Sequence, residues 1–180
     1  MFGCGTIGIA AAVALKYFGM DKIMICDVSD FRLNIAEKLG FSVCNIGKTD
    51  FIQTATTYFG TAPALTGLAP DIDCWIDAAG AESILDSYMQ HGKISSRYVI
   101  VAVNNKPRQI DLLHLTYAQK SIIGSGGYFP EDVHDVLTVM ASGRWDLESI
   151  ITQEFPLERI SEAIQTASDP GKAFNVIIRM

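Results

Sequence analysis

Short apolar runs alternate with amphipathic stretches over the first two thirds of the chain. Lys22–Cys26, Phe41–Ile46, Ile72–Ile76, Tyr98–Val103 and Lys120–Ser125 read as buried strands, because each is brief, apolar and bounded by turn residues. Between them the spacing becomes helical. Ile7, Ala11, Ala14 or Leu15, and Phe18 recur on one expected face, and Gly19 can close that helix. A second helix runs from a Ser29 or Asp30 cap to Leu39, with Leu33, Ala36 and Leu39 inward and Gly40 after it. Asp50–Phe59 forms a third helix with Ile52, Ala55 and Phe59 on one side, and Glu82–His91 a fourth. Thr61–Pro70, carrying Pro63, Gly67 and Pro70, predicts a connector with a short helix at most. Alternating strands and helices specify an α/β fold, a doubly wound parallel sheet with helices on both faces.

After Gly127 the alternation changes. Pro130 at a first helical position opens a helix to Ser142, with Val133, Val136, Leu137 and Met140 expected inward and Gly143 as the stop. A strand at Ile151–Phe155 follows, then a helix at Leu157–Ala167 whose inner face is Ile160, Ala163, Ile164 and Ala167. Asp169-Pro170-Gly171 turns the chain, and Phe174–Ile178 closes it as a strand. The expected organisation is one domain over residues 1–127 and a C-terminal helix–strand extension over 128–180.

The chemistry starts at the first eight residues. Gly3, Gly5 and Gly8 form a G-x-G-x-x-G that leads into the first helix. In a dinucleotide site the first glycine makes the tight turn, the second admits the pyrophosphate, and the third packs helix on sheet. The free N–H groups and positive end of the helix then face the phosphates. Asp27 stands at the end of the next strand, about 20 positions on, where a carboxylate accepts from the adenosine ribose hydroxyls. Such a carboxylate also repels a 2′-phosphate, so the pattern predicts NAD rather than NADP. The competing reading is a helix-capping Asp27 in a sheet protein with no ligand. Only Met1 and Phe2 precede Gly3, whereas a strand is expected there. On this ground the chain is expected to begin inside an element of a longer protein.

Composition narrows the partners. The 180 residues are 49% hydrophobic and 19% charged, with a net charge of -6. That acidity, without a basic run, argues against nucleic acid. The longest clean apolar stretch, Ile7–Leu15, is far below the ~20 residues that span a bilayer. With no signal peptide in view, the cytoplasm is the expectation. Cys4, Cys26, Cys44 and Cys74 form no C-x-x-C pair, so reduced thiols are expected and a zinc site is not. His134 is expected in solvent. His91 ends a helix, where a cation is favourable. His114 has no assigned element. None is assigned a catalytic role.

Several stretches carry a family resemblance. Gly3-Cys4-Gly5-Thr6-Ile7-Gly8, Asp27 with Arg32, Asp73 to Gly80 and the tail from Gly124 resemble the zinc-type medium-chain alcohol dehydrogenases, with the polyol and threonine dehydrogenases nearest. Ile150-Ile151-Thr152-Gln153-Glu154-Phe155-Pro156-Leu157-Glu158 is similar to the family's "lIT-x-x-fpLe" stretch. The resemblance implies a Rossmann domain that binds NAD. Gly3, Gly5, Thr6, Ile7 and Gly8 would hold the pyrophosphate. Asp27 would bind the ribose with Arg32 beside it, although Arg32 taken alone reads as an exposed helix arginine. Ala78 and Ala79 would line the adenosine channel, and Val101, Ala102, Val103 and Ser125 would border the nicotinamide. Asn175 departs from the family, which often has Lys or Arg at that place in the last strand.

The resemblance further implies a separate catalytic domain bearing the zinc, expected in the intact family member and not in this chain. It implies packing of the tail from about Tyr128 on that domain, and a homodimer formed edge to edge at Lys120–Gly124. The expected function is the NAD-binding portion of a zinc-dependent dehydrogenase that passes hydride from a small secondary alcohol to NAD. A non-catalytic nucleotide-binding or oligomerisation module is the alternative. A methyltransferase is a third reading, disfavoured by the glycine spacing and the tail.

Overall fold

The computed structural model describes residues 1–169 and 171–180. They fall into two compact units. The first comprises Met1–Gly3 and Lys48–Gly127, the second Cys4–Gly47 and Tyr128–Met180.

The first unit is built on three parallel strands, β5 (Cys74–Asp77), β6 (Arg97–Ile100) and β7 (Ser121–Gly124), in the order β5-β6-β7. Their register pairs Trp75 with Tyr98 and Tyr98 with Ile122. Phe2 joins β5 through one parallel bridge to Asp77, with Phe2 N–H donating to Ile76 at 2.8 Å and Ala78 N–H donating to Phe2 at 2.8 Å. Helices α3 (Phe51–Phe59), α4 (Glu82–His91) and α5 (Leu112–Tyr117) belong to this unit. An aromatic chain forms its core. Phe2 stacks on Trp75 at 5.5 Å, Trp75 meets Tyr88 at 5.8 Å, and Tyr88 meets Tyr98 at 5.1 Å. Trp75, Tyr88 and Tyr98 are almost wholly buried. Removing each from water is worth about 2 kcal/mol or more, and each close ring pair adds roughly 1 kcal/mol.

Two elements of this unit differ from expectation. Thr61–Pro70 is a β-hairpin, with β3 (Thr61–Ala64) antiparallel to β4 (Gly67–Pro70) and a turn at Leu65–Thr66. Its prolines hid it, because Pro63 and Pro70 read as loop residues. Pro70 occupies a strand end, and Pro63 has a carbonyl free to accept from Ile94 N–H at 3.0 Å. His114 lies in α5, whose cap is Asp111, the acceptor of His114 N–H at 3.0 Å.

In the second unit, α1 (Thr6–Tyr17), β1 (Met24–Asp27), α2 (Asp30–Lys38) and β2 (Ser42–Asn45) follow in order, and β1 pairs with β2 in parallel. The α2 face matches expectation, with Leu33, Ala36 and Leu39 buried. The α1 face does not. Gly8, Ile9, Ala12 and Val13 point inward, while Ile7 and Phe18 are 59% and 65% exposed. A helix apolar all round carries no phase in its pattern, so the sequence could not choose its face.

Helix α6 (Pro130–Ala141) also turned out differently, with Val139 buried and Val133, Val136, Leu137 and Met140 about half exposed. Strand β8 (Ile151–Pro156) pairs in parallel with β9 (Asn175–Arg179), and α7 (Ile160–Ala167) links them as a β-α-β unit. A 3-10 turn at Leu157–Arg159 replaces the first turn expected of α7. Of the inner face expected for α7, only Ala163 is buried. The turn expected at Asp169-Pro170-Gly171 includes Pro170, which lies outside the described residues.

Candidate functional site

In the second unit, Gly5 caps α1 in extended backbone with no side-chain cap, and no acidic residue occupies the first turn. The helix therefore begins with N–H donors and a positive dipole end that no side chain of its own first turn neutralises. Thr6 and Ile7 are exposed there, and Gly8 is buried. Asp27 braces this loop. Its Oδ2 accepts from Cys4 N–H at 2.7 Å, and its Oδ1 accepts from Val28 N–H at 2.8 Å and Ser29 N–H at 2.9 Å. A carboxylate offers about four acceptor positions, so Asp27 retains one and is itself only half-buried. Cys4 lies wholly buried with Sγ donating to the Arg32 carbonyl at 3.2 Å. Burial, then the Asp27 charge, pushes its thiol up to about 12, so it is inert at neutral pH.

Two tail residues reach this loop. The Arg32 guanidinium lies 5.8 Å from the centre of the Phe174 ring, and its Nε is buried without a hydrogen-bond partner. It is thus a half-buried, stacked arginine and not an exposed one, a distinction invisible while Phe174 is 142 positions away in the chain. The Thr6 hydroxyl donates to Asn175 Oδ1 at 2.7 Å. Sequence reasoning assigned Thr6 and marked Asn175 as a departure, without pairing them.

The first unit holds the remaining candidates. Gly3 is at φ +96°, and a Cβ there would meet the backbone of Ala78 and Ala79 at 2.9 Å. This close approach explains the first glycine. Ala78 is half-buried and Ala79 exposed, on a turn held by Asp77. Asp77 Oδ1 accepts from Ala79 N–H at 2.9 Å and Gly80 N–H at 2.7 Å, and Oδ2 accepts from the Tyr98 hydroxyl at 2.8 Å. The Asp77 carbonyl takes both Val101 N–H and Ala102 N–H at 2.9 Å. Burial first, then the bond to Asp77, holds the Tyr98 phenol well above its ordinary range, so it stays a donor. Val103 is fully exposed beyond β6. Ser125 follows β7 with its N–H on Ile100 at 2.8 Å. Asp77 and Tyr98 are the residues that sequence reasoning passed over. Their signal was a charged residue closing an apolar strand.

The cation at the carboxyl end of α4 is Lys120, not His91. Lys120 Nζ donates to the carbonyls of Tyr88 at 3.0 Å and Met89 at 2.6 Å. Burial, then Lys120, lowers the His91 pKa and favours its neutral form. His134 is exposed, as expected. All four cysteines are free thiols. Among the described residues, no group of three or more His, Cys, Asp or Glu side chains could hold a metal. No helix among them is long and apolar enough to cross a membrane.

The fold is an α/β fold of the Rossmann type, with a glycine loop opening its first helix and an aspartate closing the strand after it. Solved structures share it. A 2R,3R-butanediol dehydrogenase from Bacillus subtilis superposes with a TM-score of 0.81 at 24% identity, over 99% of this chain and 49% of that one. A short chain alcohol dehydrogenase from E. coli CFT073, complexed with cofactor NADH, gives 0.80 at 21% identity over 99% and 51%. The sequence model of the family described as zinc-binding dehydrogenase matches residues 6–142, and the chain belongs to that family. Among curated relatives, the L-threonine 3-dehydrogenase of Saccharopolyspora erythraea is 26% identical over 98% of this chain and 49% of its own length. The sorbitol dehydrogenase of Bombyx mori is 27% identical over 100% and 50%. The chain spans about half the length of these relatives.

Proposed function

We propose that this chain is the NAD-binding portion of a zinc-dependent alcohol or polyol dehydrogenase, which moves hydride from a secondary alcohol to NAD. The observation that carries this reading is the Asp27 carboxylate, tied to the glycine loop through Cys4 N–H at 2.7 Å with an acceptor position to spare. Bound NAD supplies the hydride acceptor. In the second unit, the α1 N–H groups at Gly5, Thr6, Ile7 and Gly8 bind the pyrophosphate, Asp27 accepts from the ribose hydroxyls, and Arg32 flanks the adenosine. The role of Gly3, Ala78, Ala79, Val101, Ala102, Val103 and Ser125 in holding the nucleotide rests on the family resemblance. Open backbone at Gly5, where the nearest atom to an added Cβ is 3.9 Å away, supports the fit of a pyrophosphate.

Zinc belongs to the family, but the described residues offer no cluster of ligands for it. No step of the alcohol chemistry is therefore assigned to a side chain of this chain. We further place the protein in the cytoplasm, as a homodimer formed edge to edge through β7, whose exposed edge would otherwise invite aggregation.

Titration with NADH, followed by its fluorescence, tests the reading. The chain should bind NADH and discriminate against NADPH, and Asp27→Ala should weaken NADH at least tenfold while narrowing the discrimination. Absence of NADH binding, or equal affinity for NADPH in the wild type, refutes it.

A further inference from the structure

We propose that Cys26 and Cys44 form a dithiol site in the second unit, which takes a trivalent arsenical as a covalently bound bridge between β1 and β2. The site is independent of the nucleotide reading. Cys26 lies in β1 and Cys44 in β2, and the parallel register sets them directly opposite each other. Opposed residues of neighbouring strands project from the same face of the sheet. Both side chains are buried, and their thiols hydrogen-bond to one another. The other two cysteines are placed differently. Cys4 Sγ donates to the Arg32 carbonyl, and Cys74 in the first unit stands opposite Arg97.

The surroundings of the pair select its ligand. Neighbouring strands lie about 4.8 Å apart, and opposed Cβ atoms keep roughly that spacing, above the roughly 3.5–4.5 Å of a disulfide. One atom set between the sulfurs closes the gap without drawing the strands together. Thiolates favour soft cations, but two common ones fit poorly. Structural zinc takes about four donors, and among the described residues no third His, Cys, Asp or Glu joins the pair. A Cu(I) bis-thiolate keeps a net negative charge, which burial penalises. The bond to Cys44, then burial, already holds the Cys26 thiol well above its ordinary range. Arsenite avoids the charge. As As(OH)3 it condenses with two thiols to give (CysS)2AsOH and two waters. Two As–O and two S–H bonds break, two As–S and two O–H bonds form, and each hydroxyl leaves with one thiol proton. Arsenic stays trivalent, nothing is oxidised or reduced, and the buried product is neutral. The four-residue strand β2 has to open from β1 for the reagent to enter, so binding should be slow.

Prolonged equilibrium dialysis of the full chain against inorganic arsenite, with bound arsenic measured by elemental analysis, tests the site. One arsenic per chain is expected, released by a small dithiol at concentrations where the corresponding monothiol leaves it bound. X-ray absorption at the arsenic edge should show two sulfur neighbours and one oxygen. Cys26→Ser and Cys44→Ser should each weaken binding about a hundredfold or more, because the second As–S bond forms within the chain at high effective concentration. Cys74→Ser should bind as the wild type does. Should a serine variant fail to fold, peptide mapping of the loaded wild type decides, since arsenic must then link the peptides that carry Cys26 and Cys44. An absence of bound arsenic, a shell of one or three sulfurs, unchanged binding in either Cys26→Ser or Cys44→Ser, loss of binding in Cys74→Ser, or a link between any other pair of cysteines overturns the proposal.

Discussion

Two aspartates end two parallel strands, and their carboxylates are used almost identically. Asp27 closes β1 and Asp77 closes β5. In each, Oδ1 accepts two backbone N–H groups from the following turn, and Oδ2 accepts one donor from elsewhere in the same unit. The difference lies in what surrounds the remaining acceptor position. Asp77 is 5% exposed and its second donor is a buried phenol, Tyr98. Asp27 is half-buried and its second donor is the glycine loop itself. A strand-end carboxylate is therefore not a ligand site by its position alone. The ligand role proposed for Asp27 rests on burial stopping short of its last lone pair, whereas complete burial makes Asp77 structural.

The strongest test of this contrast is Asp77→Ala. It strips the acceptor from Tyr98 O–H and from two turn N–H groups, and the phenol has no route to water. We expect a loss of about 3 kcal/mol in urea unfolding, since each buried unmatched polar group costs roughly 1–3 kcal/mol. Asp27→Ala should cost about 1 kcal/mol, because its partners lie nearer solvent. Equal losses at the two sites would erase the distinction.

Much of this was readable in the sequence, and the failures have physical causes. Every strand of the β1 to β7 series except the hairpin pair was placed within a few residues, because apolar runs between turn residues are local signals. The face of α1 was not, since a helix apolar on several sides gives no phase, and Ile7 stands exposed where Ile9 is buried; α6 has a clear apolar stripe at Val133, Val136, Leu137 and Met140, yet that stripe is about half exposed while Val139 is buried. Asp27 was legible because its distance from the glycines is a local property of strand, helix and strand. The Thr6–Asn175 and Arg32–Phe174 pairs were not, because contacts across 169 and 142 positions leave no trace in a single sequence. Asp77 was visible but undervalued, as nothing local reveals Tyr98 beneath it.

A matched pair of substitutions sharpens the comparison further. Asp77→Asn keeps an oxygen for Ala79 and Gly80 and turns an NH2 toward Tyr98, whose hydroxyl can rotate to accept. Asp27→Asn keeps an oxygen for Val28 and Ser29 but turns an NH2 toward Cys4 N–H, a donor that cannot rotate. The amide should thus be tolerated at Asp77, within about 1 kcal/mol, and should cost about 2 kcal/mol at Asp27. Discrimination between NADH and NADPH should narrow only in the Asp27 variant. A variant of Asp77 that changes that preference as strongly would show that the buried carboxylate is part of the nucleotide site.

The smallest effect concerns the other buried charge of the first unit. Lys120 is 6% exposed, and burial lowers its pKa from 10.5 to about 8. The folded state therefore releases the proton from about pH 8 upward, while the unfolded chain keeps it until near its ordinary value. Over that window this residue binds more protons in the unfolded state, so its contribution to stability rises with pH. From pH 7 to pH 9 the gain should be roughly 1 kcal/mol. Cys4, Cys26 and Cys74 oppose it, because their thiols are held protonated in the fold but ionise near pH 9 in the unfolded chain, so the Lys120 contribution is read as the difference between wild type and Lys120→Met. Lys120→Met should remove that contribution, so that its urea midpoint falls behind that of the wild type as pH goes from 7 to 9. It should leave NADH binding unchanged, because Lys120 caps α4 through the Tyr88 and Met89 carbonyls and takes no part in the nucleotide site. A wild type whose pH response matches that of Lys120→Met would mean that the α4 carbonyls hold the ammonium charged despite its burial, and that the buried charges of this unit are matched as completely as Asp77 is.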